Sequence, residues 1–397
     1  MIKSIINFVF AILVFILIID PGDRIFHLKI PLFFLVLILW FFYKTSNTIF
    51  FRKDIAYIVF VFLMLPIISV VICFLQGNFV NMEFALGFLK SFSIIVLLFP
   101  IVDINIPTLK YLINNSLLLP IIVLSAYVIF LFIPDMISPI YSYTEEKDIA
   151  KFGYRNYYGF IVVMLYYRTT PLLVFPLAYF CNKFTTGDKK VKSFLLACTV
   201  CFTLILSGTR ANIVSALGIL LYYIYIYYRN KKNKIQLILL ISTVIFALIT
   251  FIGSLSFDEK DESTEVKSGH FTSYVDLFNS HPEYLIWGQG LGSEFYSKGA
   301  SNMTPQTELT YLDMIRFFGI PMMIILLVIL FYPIYYIVMN YNVKEYKFLI
   351  IAYFTYLFIA GTNPLLVSST GILVIIVMYS LIKNKNNVHD FSLHSHL

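Results

Sequence analysis

A carboxylate, an imidazole and two guanidinium groups mark where this chain could do chemistry: Glu308, His270, Arg210 and Arg316. A carboxylate or imidazole within hydrogen-bond reach of a hydroxyl takes its proton as a general base. A guanidinium grips phosphate or diphosphate bidentately. Ser207-Gly208-Thr209-Arg210 joins two apolar runs in a tight turn, and ANIVSALGILLYY follows at once. Arg210 and the free N–H groups of that helix start together make an anion site at membrane level. Thr307-Glu308 opens another apolar run carrying Asp313 and Arg316. Arg316 lies about six to nine residues in, roughly 10–13 Å deep at the helical rise. Arg168 in YYRTTP, Lys90 in FLKSF and Arg155 in KFGYRNYYG add cations in or beside apolar segments. Ionisable groups there are costly unless they face protein or water, so they are candidates for a polar cavity.

Each has a plainer role as well. Lys90 can snorkel to an interface, and Arg316 can pair with Asp313 at i, i+3. Arg168 can mark a boundary broken by Pro171 and Pro176, while Arg155 can belong to an aromatic belt and Arg210 can be an interfacial anchor. Glu308 can answer a helix macrodipole, and His270 can be an ordinary loop imidazole.

What positions these groups is a chain 59% hydrophobic, 18% aromatic and 13% charged, with mean hydropathy +0.84. Soluble domains carry about twice that charge. Apolar runs of about 16 to 23 residues predict membrane-crossing helices and exclude the alternation of a β-barrel. The fold class is therefore an all-α polytopic membrane protein, a single domain over 1–397, with about twelve crossings. They fall at 4–19, 26–43, 55–75, 84–102, 112–133, 158–181, 191–206, 211–228, 235–257, 307–338, 347–360 and 365–382. The tenth is overlong and is expected to kink near Pro321 or Pro333. With both termini inside, about 17 of the 29 Lys and Arg fall on the inner side. The net charge of +7 thus describes topology, not nucleic acid binding. The four cysteines sit in apolar segments, and Cys198-x-x-Cys201 lacks the second ligand pair of a zinc site. Neither a metal cage nor a cofactor motif is evident.

One long polar insert, 258–306, interrupts the apolar runs on the outer side. It holds Lys267, His270, His281 and the Gly288-x-Gly290-x-Gly292 run. Its glycines would let backbone approach a ligand or membrane closely. Trp287, Tyr274, Tyr284 and Tyr296 could stack on sugars or sit at the interface. No membrane protein needs such an insert merely to sit in lipid, so it points to a reaction at the membrane face.

The SGTR turn at 207–210 resembles the Ser-x-Ser-Arg-type turn of the O-antigen ligase and polymerase superfamily. Lys267-Ser-Gly-His270-Phe-Thr-Ser273, then Gly288-Gln-Gly290-Leu-Gly292-Ser293, then Thr307-Glu308 through Arg316 to Phe318-Gly319 resemble the polymerase branch in order and spacing. The likeness covers roughly residues 150–320. It implies an enzyme of the outer face of a bacterial inner membrane that joins oligosaccharide repeat units carried on undecaprenyl diphosphate. It also implies work beside a flippase and a chain-length regulator. Ligases of the superfamily usually show a His-Asn pair where Thr307-Glu308 stands here, so the resemblance favours polymerase over ligase.

The expected chemistry is metal-independent glycosyl transfer. Glu308 or His270 would activate the acceptor hydroxyl, with Arg210 meeting the charge of the departing diphosphate. Arg316, Arg155, Arg168, Lys267, Gly290 and Gly292 would bind diphosphate or glycan. A carrier or flippase for the same lipid-linked glycan would also use a cationic cavity, and a binding protein would use the insert as a platform. The transferase expectation requires Arg210 and Arg316 to meet in one pocket.

Overall fold

The computed structural model describes residues 2–45, 53–157, 160–186, 190–230 and 262–383. It is mostly helical. The first half comprises α1 (Ile2–Ile19), α2 (Lys29–Thr45), α3 (Lys53–Leu75), α4 (Met82–Ser93), α5 (Leu98–Ile104), α6 (Thr108–Ser116), α7 (Leu118–Phe132) and α8 (Ile137–Glu146). A hairpin of β1 (Ala150–Tyr157) and β2 (Phe160–Tyr167) leads into α9 (Val174–Thr186), α10 (Lys190–Leu206) and α11 (Arg210–Asn230). Then come α12 (Glu262–Ser280), α13 (Tyr284–Trp287), β3 (Phe295–Ser297) and β4 (Asn302–Thr304). The last helices are α14 (Thr310–Asn340), α15 (Val343–Gly361) and α16 (Ser369–Lys383).

Among the described residues, six helical stretches are long and apolar enough to cross a membrane. They are Ile2–Ile19, Lys53–Leu75, Met82–Ile104, Thr108–Phe132, Arg210–Arg229 and Thr310–Asn340. Helices also form at the expected 26–43, 191–206, 347–360 and 365–382, whereas 235–257 lies outside the described residues. Patterning explains the packing. α1 buries Ile6, Phe10, Leu13 and Leu17, one face at three- and four-residue steps, and exposes Ile5 and Phe8. α16 is apolar all round and buried from Ile372 to Leu381, because α1, α4, α5, α6 and α14 surround it. At one end of the bundle Asp103, in the last turn of α5, takes a 2.9 Å contact from Lys44 and another from Trp40 Nε1 of α2.

The expected helix at 158–181 forms only in its second half. Phe160–Tyr167 pairs antiparallel with Ala150–Tyr157, with Lys151 opposite Tyr166 and Gly153 opposite Met164. An apolar run rich in β-branched and aromatic residues serves a strand as well as a helix, so apolarity alone does not decide between them. Helical backbone begins only at Thr170, in a 3₁₀ turn where Pro171 loses no hydrogen bond. The hairpin is tied down at its base and midway along β2. Tyr127 Oη donates to the carbonyls of Val163 and, at 3.2 Å, Leu206. Tyr167 Oη and Thr169 Oγ1 donate to Ile19 and Ile18 at the end of α1.

α14 breaks at Gly319 (φ 69°, ψ 167°), not at either proline. Pro321 has no N–H for the Phe317 carbonyl, four residues back, and Ser69 Oγ donates to that oxygen at 2.5 Å. The adjacent Arg316 carbonyl accepts from Gln289 N, also at 2.5 Å. The break is thus filled by the glycine run of the insert. A Cβ on Gly288 would meet the Phe317 carbonyl, and one on Gly319 the Ile286 carbonyl. The insert itself is folded rather than loose: His270 and Ser273 of α12 hold the β3–β4 hairpin through Ser297 Oγ and Lys298 N.

Candidate functional site

Five segments far apart in sequence enclose a cavity of about 370 Å³. Lys151 and Tyr166 come from the hairpin, Thr209 and Arg210 from the turn before α11, Lys267 from α12 and Glu308 from the chain entering α14. Thr362 and Asn363, after α15, complete the rim. Strand periodicity explains the hairpin's share: residues 151, 153, 164 and 166 occupy one face.

The turn owes its shape to Gly208, which has φ 68° and lies against Met164. A Cβ there would overlap the Met164 side chain, and the left-handed backbone disfavours any other residue. Gly208→Ala should therefore displace the hairpin from the turn. Its expected cost is about 1–3 kcal/mol, read as a lowered midpoint in thermal unfolding of detergent-solubilised protein. An unchanged midpoint would show that the turn tolerates a side chain.

Charge in the cavity is mostly positive. Lys151, Arg210 and Lys267 face one carboxylate, Glu308, whose Oε2 lies 3.5 Å from Lys267 Nζ. Both members of that pair are partly exposed, at 38% and 43%, so they remain accessible to a ligand. Tyr166 Oη and Thr209 Oγ1 are buried with no protein hydrogen-bond partner. Thr209 directly precedes α11, where a threonine hydroxyl ordinarily caps the helix start. It does not do so here. The cavity thus gathers cations, unsatisfied hydroxyls and the amino end of a 21-residue helix, a set that favours an anion bearing several oxygens.

The other expected site residues lie elsewhere. Arg316 is wholly buried and does not reach this cavity. Its Nη1 donates to Gln289 Oε1 at 3.0 Å and to Ser293 O at 2.9 Å, and its Nη2 donates to Pro305 O. Its guanidinium lies over the rings of Phe295 and Phe317, 4.6 and 4.5 Å from their centres. Asp313, equally buried, faces it at 3.4 Å. Asp313 also accepts from Tyr274 Oη at 2.6 Å and Thr307 N at 2.8 Å. The pair fastens the insert to α14 and fixes Thr307, the neighbour of Glu308. The expected pocket shared by Arg210 and Arg316 does not exist.

Arg168 pairs with Asp148 at the base of the hairpin rather than lining a cavity. Of Arg155 only the strand backbone, opposite Val162, is described. His270 is buried beside Ser297, with Nδ1 2.5 Å from its hydroxyl, and does not line the cavity. Burial lowers its imidazole from the ordinary histidine value, against the opposing pull of the Glu308 and Asp313 carboxylates. Gly290 packs on the Cys73 backbone and Gly292 beside Val80, so both serve packing. Lys90 is exposed on α4. Tyr274 is buried, whereas Trp287 and Tyr296 are exposed away from the cavity.

Lys151, Tyr166 and Asn363 were not among the candidates. Strand periodicity puts the first two on one face, which is legible only once KFGYRNY and FIVVMLYY are taken as paired strands. Comparison with known protein families, curated proteins and solved structures finds no match.

Proposed function

We propose that this chain is a glycosyltransferase of the polysaccharide-polymerase kind. It would join oligosaccharide repeat units carried on undecaprenyl diphosphate, at the outer face of a bacterial inner membrane. The proposal includes about twelve crossings with both termini cytoplasmic. The two-arginine pocket on which the transferase expectation rested is absent, so the reading is revised, with Lys151 and Lys267 in the part expected of Arg316; one observation carries it: the SGTR turn brings Arg210 into a single cavity with those two lysines and Glu308. The motif resemblance at 207–210 and 307–308 supports it. Lys151, the SGTR turn, Lys267 and the chain entering α14 are also positions that the charge pattern expects on one side of the membrane.

In the proposed reaction, the acceptor hydroxyl oxygen attacks the anomeric carbon of the donor sugar. The bond from that carbon to the diphosphate oxygen breaks, and both bonding electrons leave with the lipid diphosphate. Arg210, Lys151 and the N–H groups of α11 stabilise the charge that develops on it. Glu308, at the same cavity, receives the hydroxyl proton. Arg316 supports this chemistry only by fixing the chain next to Glu308.

The test is reconstitution of the purified protein in vesicles with lipid-linked repeat units. Lengthened glycan is the expected product; movement of single units across the bilayer without lengthening would instead make the chain a flippase. Glu308→Gln should insert normally and lose most elongation, by about 100-fold or more, within the range for a general base. Full-length polymer from that variant would remove Glu308 from the mechanism.

A further inference from the structure

A second cavity, of about 440 Å³, lies across the chain segments that form one wall of the first. Gln306 lines the second cavity while Glu308, two residues on, lines the first. Asn363 lines the first, and the next residue, Pro364, lines the second. Thr307, between Gln306 and Glu308, is pinned by Asp313. The two cavities therefore share a wall made of 306–308 and 363–364.

Their chemistry is opposite. The second cavity has no Lys or Arg in its lining; its one charged residue is Glu83. Diphosphate would meet like charge there and find no cation. Asn81, Gln306, Ser91 and Ser368 supply amides and hydroxyls, and the half-buried Phe84 supplies an aromatic ring backed by the buried Phe88. Gln306 Nε2 is buried without a protein acceptor, so a donor at the shared wall is left for a ligand oxygen. A carboxylate, amides, hydroxyls and ring faces together match uncharged sugars, which offer hydroxyls on their edges and C–H groups on their faces. The volume lies within the range of small-molecule sites.

We infer that this second cavity binds uncharged sugar residues of the acceptor glycan, while the cationic cavity holds the donor's diphosphate. The assignment of the acceptor rests on the glycosyl-transfer reading; the sugar chemistry of the cavity does not. Transfer between two glycans needs both in place at once, and Glu308 stands at the shared wall, where an acceptor hydroxyl must arrive.

Gly87 gives the means of testing it. It lies on α4 at the cavity, and a Cβ built there meets nothing within 4 Å. Gly87→Trp fills the cavity while removing a helix-interior glycine, so helix propensity favours folding. Ser91→Trp, one turn along, fills the same space from a half-buried position at the cavity lining. Both variants are expected to insert at normal level and to bind inorganic diphosphate like the parent. Both should lose elongation, leaving lipid-linked single units. Parent-length polymer from both variants would overturn the proposal, as would loss of diphosphate binding along with elongation, which would mean one site and not two. If the unaltered protein fails to lengthen glycan at all, it is the glycosyl-transfer reading that fails.

Discussion

Arg210→Ala is expected to leave lipid-linked repeat units at single length, with elongation reduced about 100- to 1,000-fold and the protein inserted at its normal level. The size follows from where the charge sits. Breaking the bond from sugar to diphosphate puts negative charge on an oxygen that a cation must already face, since rearranging the site during the reaction forfeits the benefit. Arg210 is the first residue of α11, so its charge adds to the partial positive charge of the helix end. Lys151 and Lys267 remain in the variant and retain part of the binding, so the loss should fall on rate more than on affinity for inorganic diphosphate. Arg210→Lys should recover a fraction only, because an ammonium offers a point charge where a guanidinium offers a planar fork. Elongation is read by resolving lipid-linked products by length. Parent-length polymer from Arg210→Ala at normal protein level would end the assignment.

Much of the bundle was legible because the cost of placing polar backbone in lipid writes long apolar runs into the sequence. The runs at 4–19, 55–75, 84–102, 112–133 and 211–228 all became helices of nearly the expected extent. The hairpin was hidden by the same rule. FIVVMLYY is as apolar as its neighbours, and only its partner AKFGYRNY, with Gly153 leaving room for Met164, makes it a strand. Turn chemistry was legible too, since Ser-Gly-Thr-Arg between two apolar runs has few structural options. The partners of buried charges were not. Arg168 finds Asp148 twenty residues away, and Arg316 finds Gln289, Ser293 and Pro305 across a folded insert. A cation in an apolar run advertises a need for a partner without saying whether that partner is protein or ligand. The glycine run shows the same ambiguity: close approach was correctly read, but what approaches is the broken backbone of α14.

Arg316→Met should destabilise the protein by about 3–5 kcal/mol, the cost of leaving a buried charge without its counterpart. Asp313 would keep Tyr274 and Thr307 as donors but lose the one cation facing it. Gln289 Oε1 and the carbonyls of Ser293 and Pro305 would lose a donor at the same stroke. The insert would then be held to α14 mainly by the glycine contacts, the Ser69 bonds and the Tyr274 hydroxyl. Replacing both members, Asp313→Asn with Arg316→Met, should be less damaging than the single change, since no net charge stays buried. Thermal unfolding in detergent measures both, and the fraction of single variant that remains folded should bind inorganic diphosphate with parent affinity. That last readout separates a clamp from a ligand contact. A stable Arg316→Met protein with weakened diphosphate binding would return Arg316 to the site, and the separation of structural from functional guanidinium groups drawn here would fail.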